Sequence, residues 1–139
     1  MAHRTPTERD VGLLLLRVTV GGLMLFHGVD KVMGGVAGLQ GLVAQHGLPG
    51  AFAYGVYLGE VVAPVLFLLG IATRSAAFLM AFTMVVAVWL AHPGDLFVVG
   101  SHGEYALELQ VLYGVGAVVV GLLGPGRFAV PVKGALQKL

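Results

Sequence analysis

The stretch LLLLRVTVGGLMLFHGVDK, residues 13–31, decides the fold. It is an apolar run of hydrocarbon length with Arg17 near its middle, and its last turn contains His27 and Lys31. At about 100° per residue in an α-helix, Arg17, Met24, His27 and Lys31 fall within about 80° of one another, on one stripe. A guanidinium inside a bilayer costs at least about 2.5–3.5 kcal/mol. Arg17 should therefore face other helices and find an anion there.

The composition excludes an ordinary soluble domain. Of 139 residues, 58% are hydrophobic and only 11% are charged, and the mean hydropathy is +0.92, whereas soluble domains have about 25% charged residues. The net charge of +1 provides no basic surface for nucleic acid. The absence of cysteine excludes disulfides and thiolate metal sites within the chain. The expected partner is the lipid bilayer.

Four apolar stretches predict an all-α integral membrane protein, a four-helix bundle that forms a single domain over residues 1–139. A spanning helix needs about 20 residues, so four spans with their loops use up this length. Thr7 or Asp10 is available as the first N-cap. The predicted spans are residues 10–32, 51–70, 75–91 and 104–123.

A glycine-rich connection separates the first two spans. Its apolar residues recur at three- and four-residue spacing, which predicts a short amphipathic helix in the membrane interface. These residues, with one histidine, are Val36, Leu39, Leu42, Val43 and His46.

Glu60 lies at the centre of the second span, and Pro64 follows four residues later. Because proline has no N–H group, the Glu60 carbonyl loses its usual helical donor, which predicts a kink. At about 1.5 Å per residue, Arg17 and Glu60 lie at matching depths below the outer ends of their helices. We therefore predict a buried ion pair between them, which serves either function or only helix packing.

A second polar cluster is expected at the outer end of the bundle, where His27 and Lys31 of the first helix face Glu104 and Glu108 of the fourth. This composition suits a small polar-headed, apolar-bodied ligand such as a quinone. His27 or Lys31 would bond a ring oxygen, and Glu104 or Glu108 is the candidate catalytic proton acceptor or donor. Arg17 and Glu60 complete the predicted ligand-binding set. The residues predicted to line the ring are Met24, Tyr57, Phe67 and Tyr105.

Plainer interpretations remain open for this cluster. His27 and Lys31 could simply extend to the membrane interface, and the tyrosines could form an aromatic belt. The histidines contain no His-x-x-x-His pair, so no metal site is predicted. A haem between His27 and His92 is a weaker alternative.

The distribution of basic residues predicts the orientation of the chain. Most lie on one side of the predicted spans, with only Lys31 on the other, and the positive-inside rule then places both termini in the cytoplasm of a multi-pass cell-membrane protein. The residues on the basic side are Arg4, Arg9, Arg74, Arg127, Lys133 and Lys138.

Gly114, Ala117 and Gly121 form a seam of small residues on the fourth helix. Such seams mediate helix contacts in membranes. This one predicts either a homo-oligomer or a contact with a partner membrane or redox subunit, with internal packing of the seam as the alternative.

The chain resembles the DoxX family of small four-helix membrane proteins over residues 11–130. Four pieces carry the resemblance: Leu16-Arg17 with Gly21, Phe26-His27-Gly28 and Lys31; Glu60 with Leu68-Leu69-Gly70 and Thr73-Arg74; Gly103-Glu104-Tyr105; and Gly124-Pro125-Gly126-Arg127. Two positions depart from the family pattern. Pro131 stands where an aspartate is usual, and Glu108 occupies a position that is often apolar.

The resemblance implies association with membrane oxidoreductase systems, including quinol oxidation. Our first hypothesis is a quinone- or small-molecule-binding subunit, which as an enzyme would be an oxidoreductase subunit acting with a quinone or quinol. The second is a non-catalytic assembly helper that binds other membrane proteins, because the family also includes such factors.

Overall fold

A computed structural model describes residues 7–132, which form helices and turns without a β-strand. The predicted all-α class is confirmed for this part of the chain. Arg4, Lys133 and Lys138, used above for the orientation, lie outside it. The elements are α1 (Glu8–Gly34), α2 (Ala37–Gln45), a 3-10 helix (Gly50–Gly55), a π-helical turn (Leu58–Val62), α3 (Ala63–Leu69), α4 (Thr73–Ala91) and α5 (Glu108–Leu123).

Three segments between residues 7 and 132 are long and apolar enough to cross a membrane: Glu8–Gly34, Gly50–Leu69 and Thr73–Ala91. α5 is apolar but has 16 residues, fewer than the roughly 20 that a span needs. Large apolar side chains such as Phe26 and Phe78 are 74% and 73% exposed. Lipid-facing surfaces require such residues, and the chain is a membrane protein.

α1 begins at a complete capping box. The Thr7 hydroxyl accepts from the Asp10 N–H, and the Asp10 carboxylate accepts from the Thr7 N–H at 3.0 Å. This arrangement satisfies N–H groups that the first helical turn leaves free. Thr7 is therefore the N-cap. The helix ends at Gly34, and the N–H of the C-cap residue Gly35 donates to the Lys31 carbonyl.

The second apolar stretch is divided into three pieces instead of forming one kinked helix. Residues 50–55 form the 3-10 helix, and the chain then widens into the π-helical turn, in which the Ala63 N–H donates to the Leu58 carbonyl. Pro64 follows directly, near the start of α3. Pro64 has no N–H group to donate to the Glu60 carbonyl, so an α-helix through this point would lack one backbone hydrogen bond. The wider π-helical turn replaces the α-helical hydrogen-bond pattern here.

α5 begins four residues later than predicted. Residues 96–107 form turns, with an isolated antiparallel bridge between Val99 and Tyr105. Within these turns the Gly100 N–H donates to the Glu104 carbonyl. Glu104 therefore belongs to a loop, whereas Glu108 opens the helix.

The buried apolar residues form two separate hydrophobic clusters. The larger one joins α1, α3, α4 and α5 around Met24, Phe67 and Met80, which are at most 1% exposed. The smaller one joins α2 and the 3-10 helix to Leu90 of α4. Beside it, the rings of His46 and Trp89 lie 4.7 Å apart. The short helix predicted between the first two spans is therefore present as α2; its position in a membrane interface stays a prediction.

The small-residue seam of α5 faces α4. Ala117 is fully buried, and a Cβ atom on Gly121 would lie 3.0 Å from that of Ala77. At Gly114 the nearest atom to such a Cβ would be Met84 Cβ, at 3.7 Å. Ala117 and Gly121 of the seam thus pack within the chain, whereas Gly114 is only partly buried.

Candidate functional site

The charged residues packed between the helices form two separate sites. Arg17 and Lys31 both lie on α1, 14 residues apart in the sequence, which corresponds to about 21 Å along the helix. Arg17 lies near the C-terminal ends of α3 and α5, and Lys31 lies beside the π-helical turn.

Arg17 is fully buried and bonds only to backbone carbonyls among the described residues. Its Nε donates to the Phe67 carbonyl at 2.9 Å, one Nη to the Pro125 carbonyl at 2.7 Å, and the other Nη to the Leu68 carbonyl. The last carbonyls of a helix lack intrahelical partners and carry partial negative charge. Arg17 thus joins the end of α3 to the segment after α5.

Gly70 makes room for this arginine. It has a left-handed backbone conformation with φ of +75°, and a Cβ atom there would lie 2.7 Å from Nη2 of Arg17 and 2.6 Å from Cβ of Ala129. The Val130 N–H donates to the Leu69 carbonyl at 2.8 Å beside it. The chain after α5 is therefore attached to the end of α3.

The predicted ion pair between Arg17 and Glu60 is wrong. The prediction treated residues 51–70 as one straight helix with Glu60 at its middle. Because residues 50–55 form a 3-10 helix that packs against α2, the run of α- and π-helical turns starts only at Val56, and Glu60 lies near the N-terminal end of that run. Arg17 reaches the opposite end of that run.

Glu60 pairs with Lys31 instead. Lys31 Nζ donates to Glu60 Oε2 at 2.7 Å, and the two side chains are 27% and 9% exposed. The backbone at Glu60 lies in a narrow space: a Cβ atom on Gly28 would overlap the Glu60 carbonyl, and one on Gly59 would overlap the Thr83 hydroxyl. Glycines at both positions let α1 and α4 hold the turn that carries Glu60.

The pair lies in the wall of a cavity of about 170 Å³, which we call the polar pocket. Residues of α1, the π-helical turn, α4 and α5 form it. They are Met24, His27, Lys31, Glu60, Met84, Ala87, Leu109, Gln110 and Tyr113. Four of the predicted ligand-binding residues, Met24, His27, Lys31 and Glu60, are thus brought together.

Several polar groups in this wall have no partner among residues 7–132. The His27 ring contacts Tyr113 edge-on, with centroids 5.8 Å apart, and neither side chain forms a hydrogen bond there. Oε1 of Gln110 is buried and also lacks a partner. The pocket therefore offers an ion pair together with unused hydrogen-bonding groups, a combination suited to a small polar head group.

The other predicted site residues lie elsewhere. Tyr57 donates to the Lys31 carbonyl at 3.1 Å, and Tyr105 donates to the Leu96 carbonyl at 2.8 Å. Glu104 accepts from the His102 N–H at 3.0 Å in an exposed turn, and Glu108 is exposed on α5. The structure does not bring these residues, Phe67 or Arg17 to the polar pocket.

Gln110 and Tyr113 were not among the predicted site residues. They lie three residues apart on α5, a spacing that places two side chains on one helix face. Two polar side chains on one face of an otherwise apolar helix are the feature of the sequence that could have predicted this wall of the pocket. A fourth helix that begins at Glu104 instead favours the two glutamates as site residues, whereas the helix begins at Glu108.

No group of three or more His, Asp or Glu side chains that could hold a metal occurs between residues 7 and 132. His92, the weaker haem candidate, has Nδ1 2.8 Å from Oδ2 of Asp95, just after α4. His27 instead faces the polar pocket.

Comparison with known proteins identifies the family. The DoxX family model matches residues 12–93, more than half of the chain. The chain belongs to the DoxX family. It is 31% identical over 104 residues to a Bacillus subtilis protein named "Putative oxidoreductase CatD", covering 75% of this chain and 77% of that protein. A Haemophilus influenzae protein of unassigned function is 31% identical over 109 residues, covering 76% and 80%. No solved structure gives a significant match.

The family match includes the Lys31–Glu60 pair and ends just after α4. Gln110 and Tyr113 lie beyond the matched residues. The polar pocket of this DoxX protein therefore combines a wall from the matched region with a second wall from α5.

Proposed function

We propose that this DoxX protein binds a small polar-headed, apolar-bodied molecule, with a quinone as the leading candidate, and acts as a subunit of a membrane oxidoreductase system. The observation that carries the proposal is the Lys31–Glu60 pair in the wall of the 170 Å³ polar pocket. The oxidoreductase name of the Bacillus relative supports the same direction. π-helical turns inside helices also occur frequently at functional sites.

The pocket residues fit a quinone head group. Lys31, His27 and Tyr113 offer donors for ring oxygens, and Met24 and Met84 provide apolar walls. A bound quinone would supply redox chemistry of its own, and the protein would supply binding, orientation and proton exchange. Glu60 would accept a proton from a hydroxyl of the quinol form, and the loss of its charge would release Lys31 to donate to the ligand.

The membrane arrangement is part of the proposal. We place four crossings, with α5 as the fourth, in the cell membrane with both termini in the cytoplasm, and α2 in the outer interface. The basic residues Arg9, Arg74 and Arg127 on one side support this orientation. α5 is about 24 Å long at 1.5 Å per residue, and the apolar residues of the preceding loop would lengthen its crossing.

The helper function is the second candidate, and one observation favours it. The loop after α4 presents Leu96, Phe97 and Val99 outside the helices, with Phe97 95% exposed. Exposed apolar groups of this kind serve as contacts for partner proteins or lipid. A partner redox subunit or a second copy of the chain would bind here under this proposal.

Titration calorimetry with a short-tailed quinone in detergent tests the binding function. We expect Glu60→Gln and His27→Ala to weaken binding about tenfold or more, equivalent to about 1.4 kcal/mol. Glu108→Gln is the matched control, since its carboxylate is exposed and outside the pocket. An equal loss of affinity with Glu108→Gln would mean that the quinone binds outside the polar pocket, near the start of α5. Absence of binding by the parent protein would favour the helper function.

A further inference from the structure

A second cavity lies between α4 and α5, beside the polar pocket. It measures about 520 Å³, and its lining is almost entirely apolar, with valines from both helices and Leu96 and Tyr105 from the loop. Val85 and Val115 in this lining are 67% and 57% exposed. We call it the α4–α5 groove. In the proposed membrane arrangement, in which α4 and α5 both cross the bilayer, the groove opens towards lipid.

The groove and the polar pocket share two residues, Met84 and Gln110. Met84 is flexible and adapts easily to irregular shapes. Gln110 is polar, and its buried Oε1 has no hydrogen-bond partner in the described part of the chain. Neither residue is therefore held by a hydrogen bond that closes the boundary between the two cavities.

The sizes of the cavities are complementary. Pockets for whole small molecules measure about 300–1,000 Å³. The polar pocket alone, at about 170 Å³, accommodates little more than a head group, whereas the groove, at about 520 Å³, lies within that range. One cavity provides the polar contacts and the other provides the apolar volume.

We propose that the ligand is a lipid-soluble molecule with a long apolar tail, and that the α4–α5 groove holds this tail while the polar pocket holds its head. The inference rests on the proposed ligand-binding function and specifies the class of ligand. Such a molecule enters sideways from the bilayer, past Met84 and Gln110, and Oε1 of Gln110 would accept from a hydroxyl of the head in its reduced, quinol form.

The contribution of the groove to affinity is limited by the membrane itself. Lipid tails are as apolar as the side chains of the groove, so the transfer of a tail from lipid to protein gains packing and orientation but little hydrophobic free energy. We therefore expect a tail to strengthen binding by only about three- to tenfold in detergent or bilayer.

The test uses two quinones with the same head, one with a methyl group and one with a decyl tail, titrated at matched mole fraction in detergent. Gly114→Leu fills the groove at a place where a Cβ atom meets only ordinary contacts, and Ala81→Leu fills it from α4. Gly22→Leu is the matched control, because nothing lies within 4 Å of a Cβ atom there. The parent should prefer the decyl compound, and both groove variants should lose this preference while binding the methyl compound normally.

The outcomes separate the two proposals. If the parent binds both quinones and Glu60→Gln weakens both, but the groove variants keep the decyl preference, the tail lies in bulk lipid and the groove assignment is overturned. The same holds if Gly22→Leu removes the preference as fully as the groove variants do. If the parent binds neither quinone, the proposed function itself fails.

Discussion

Lys31 of α1 and Glu60 of the π-helical turn form an ion pair with 2.7 Å between Nζ and Oε2. The two partners are not equally buried: the Glu60 side chain is 9% exposed, and the Lys31 side chain is 27% exposed. A lysine that loses its partner can still turn its ammonium group towards water. A carboxylate fixed in the narrow turn between α1 and α4 has less freedom to do so.

The first prediction follows from this asymmetry. Lys31→Met should destabilise the protein by about 3 kcal/mol because it leaves a buried charge unpaired, and Glu60→Gln should cost less. The variant with both changes, Lys31→Met and Glu60→Gln, should lose less stability than the two single variants together, by at least about 1 kcal/mol. Unfolding in detergent, followed by the fluorescence of Trp89, measures all three. Simple additivity would show that the pair contributes nothing.

The second prediction concerns Arg17. Arg17→Lys should destabilise the protein by at least about 2 kcal/mol, because one ammonium group cannot reach three separate carbonyls as the planar guanidinium does. Since Arg17 and Glu60 share no partner, Arg17→Lys and Glu60→Gln should add within about 0.5 kcal/mol. A strong coupling between these two changes would contradict the structure and support the Arg17–Glu60 ion pair that the sequence predicts.

The difference between these two sites shows what the pattern of residues can predict. The apolar runs and the capping residue Thr7 are local features, and α1 and α4 lie within two residues of their predicted bounds. The partners of Arg17 are backbone carbonyls. Because every residue has a carbonyl, no residue type in the sequence identifies these partners. The position of Glu60 depended on the 3-10 and π-helical segments, whose hydrogen bonds change the depth of each residue without changing its hydropathy.

Part of the polar pocket was accessible from sequence for a related reason. Met24, His27 and Lys31 share a helical stripe, and helical periodicity reveals such stripes directly. The α5 wall required the correct start of that helix. The sequence of residues 96–107 predicts the end of a loop followed by the beginning of a span. Only the turn hydrogen bonds of these residues and the bridge between Val99 and Tyr105 show that α5 starts at Glu108.

The third prediction tests the close approach of α1 to the π-helical turn. Gly28→Ala should destabilise the protein by about 1–3 kcal/mol, since the added methyl group overlaps the Glu60 carbonyl and a packed backbone has little freedom to move. Gly22→Ala, with open space around it, should be neutral or stabilising by up to about 1 kcal/mol. Thermal melting of both variants in one detergent makes the comparison. Equal stability would mean that the turn can move away from α1.

The fourth prediction concerns the membrane topology. The chain contains no cysteine, so single cysteines can be introduced and labelled without background. Arg74 and Ser101 are both exposed. Arg74 lies in the first turn of α4 and Ser101 in the loop after its C-terminal end, and the helix is about 28 Å long at 1.5 Å per residue. In intact cells, a membrane-impermeant maleimide should label Ser101→Cys but not Arg74→Cys, because arginine-rich loops remain in the cytoplasm.

Arg127→Cys extends this test to α5. It should behave like Arg74→Cys and become reactive only after permeabilisation, because a crossing by α5 returns the chain to the cytoplasmic side. Labelling of both Arg127→Cys and Ser101→Cys in intact cells would mean that α5 does not cross. The polar pocket would then still be formed within one chain, but Arg9, whose side chain donates to the Leu123 carbonyl at 2.8 Å, would have to lie on the outer side with the end of α5. That placement would reverse the orientation inferred from the basic residues.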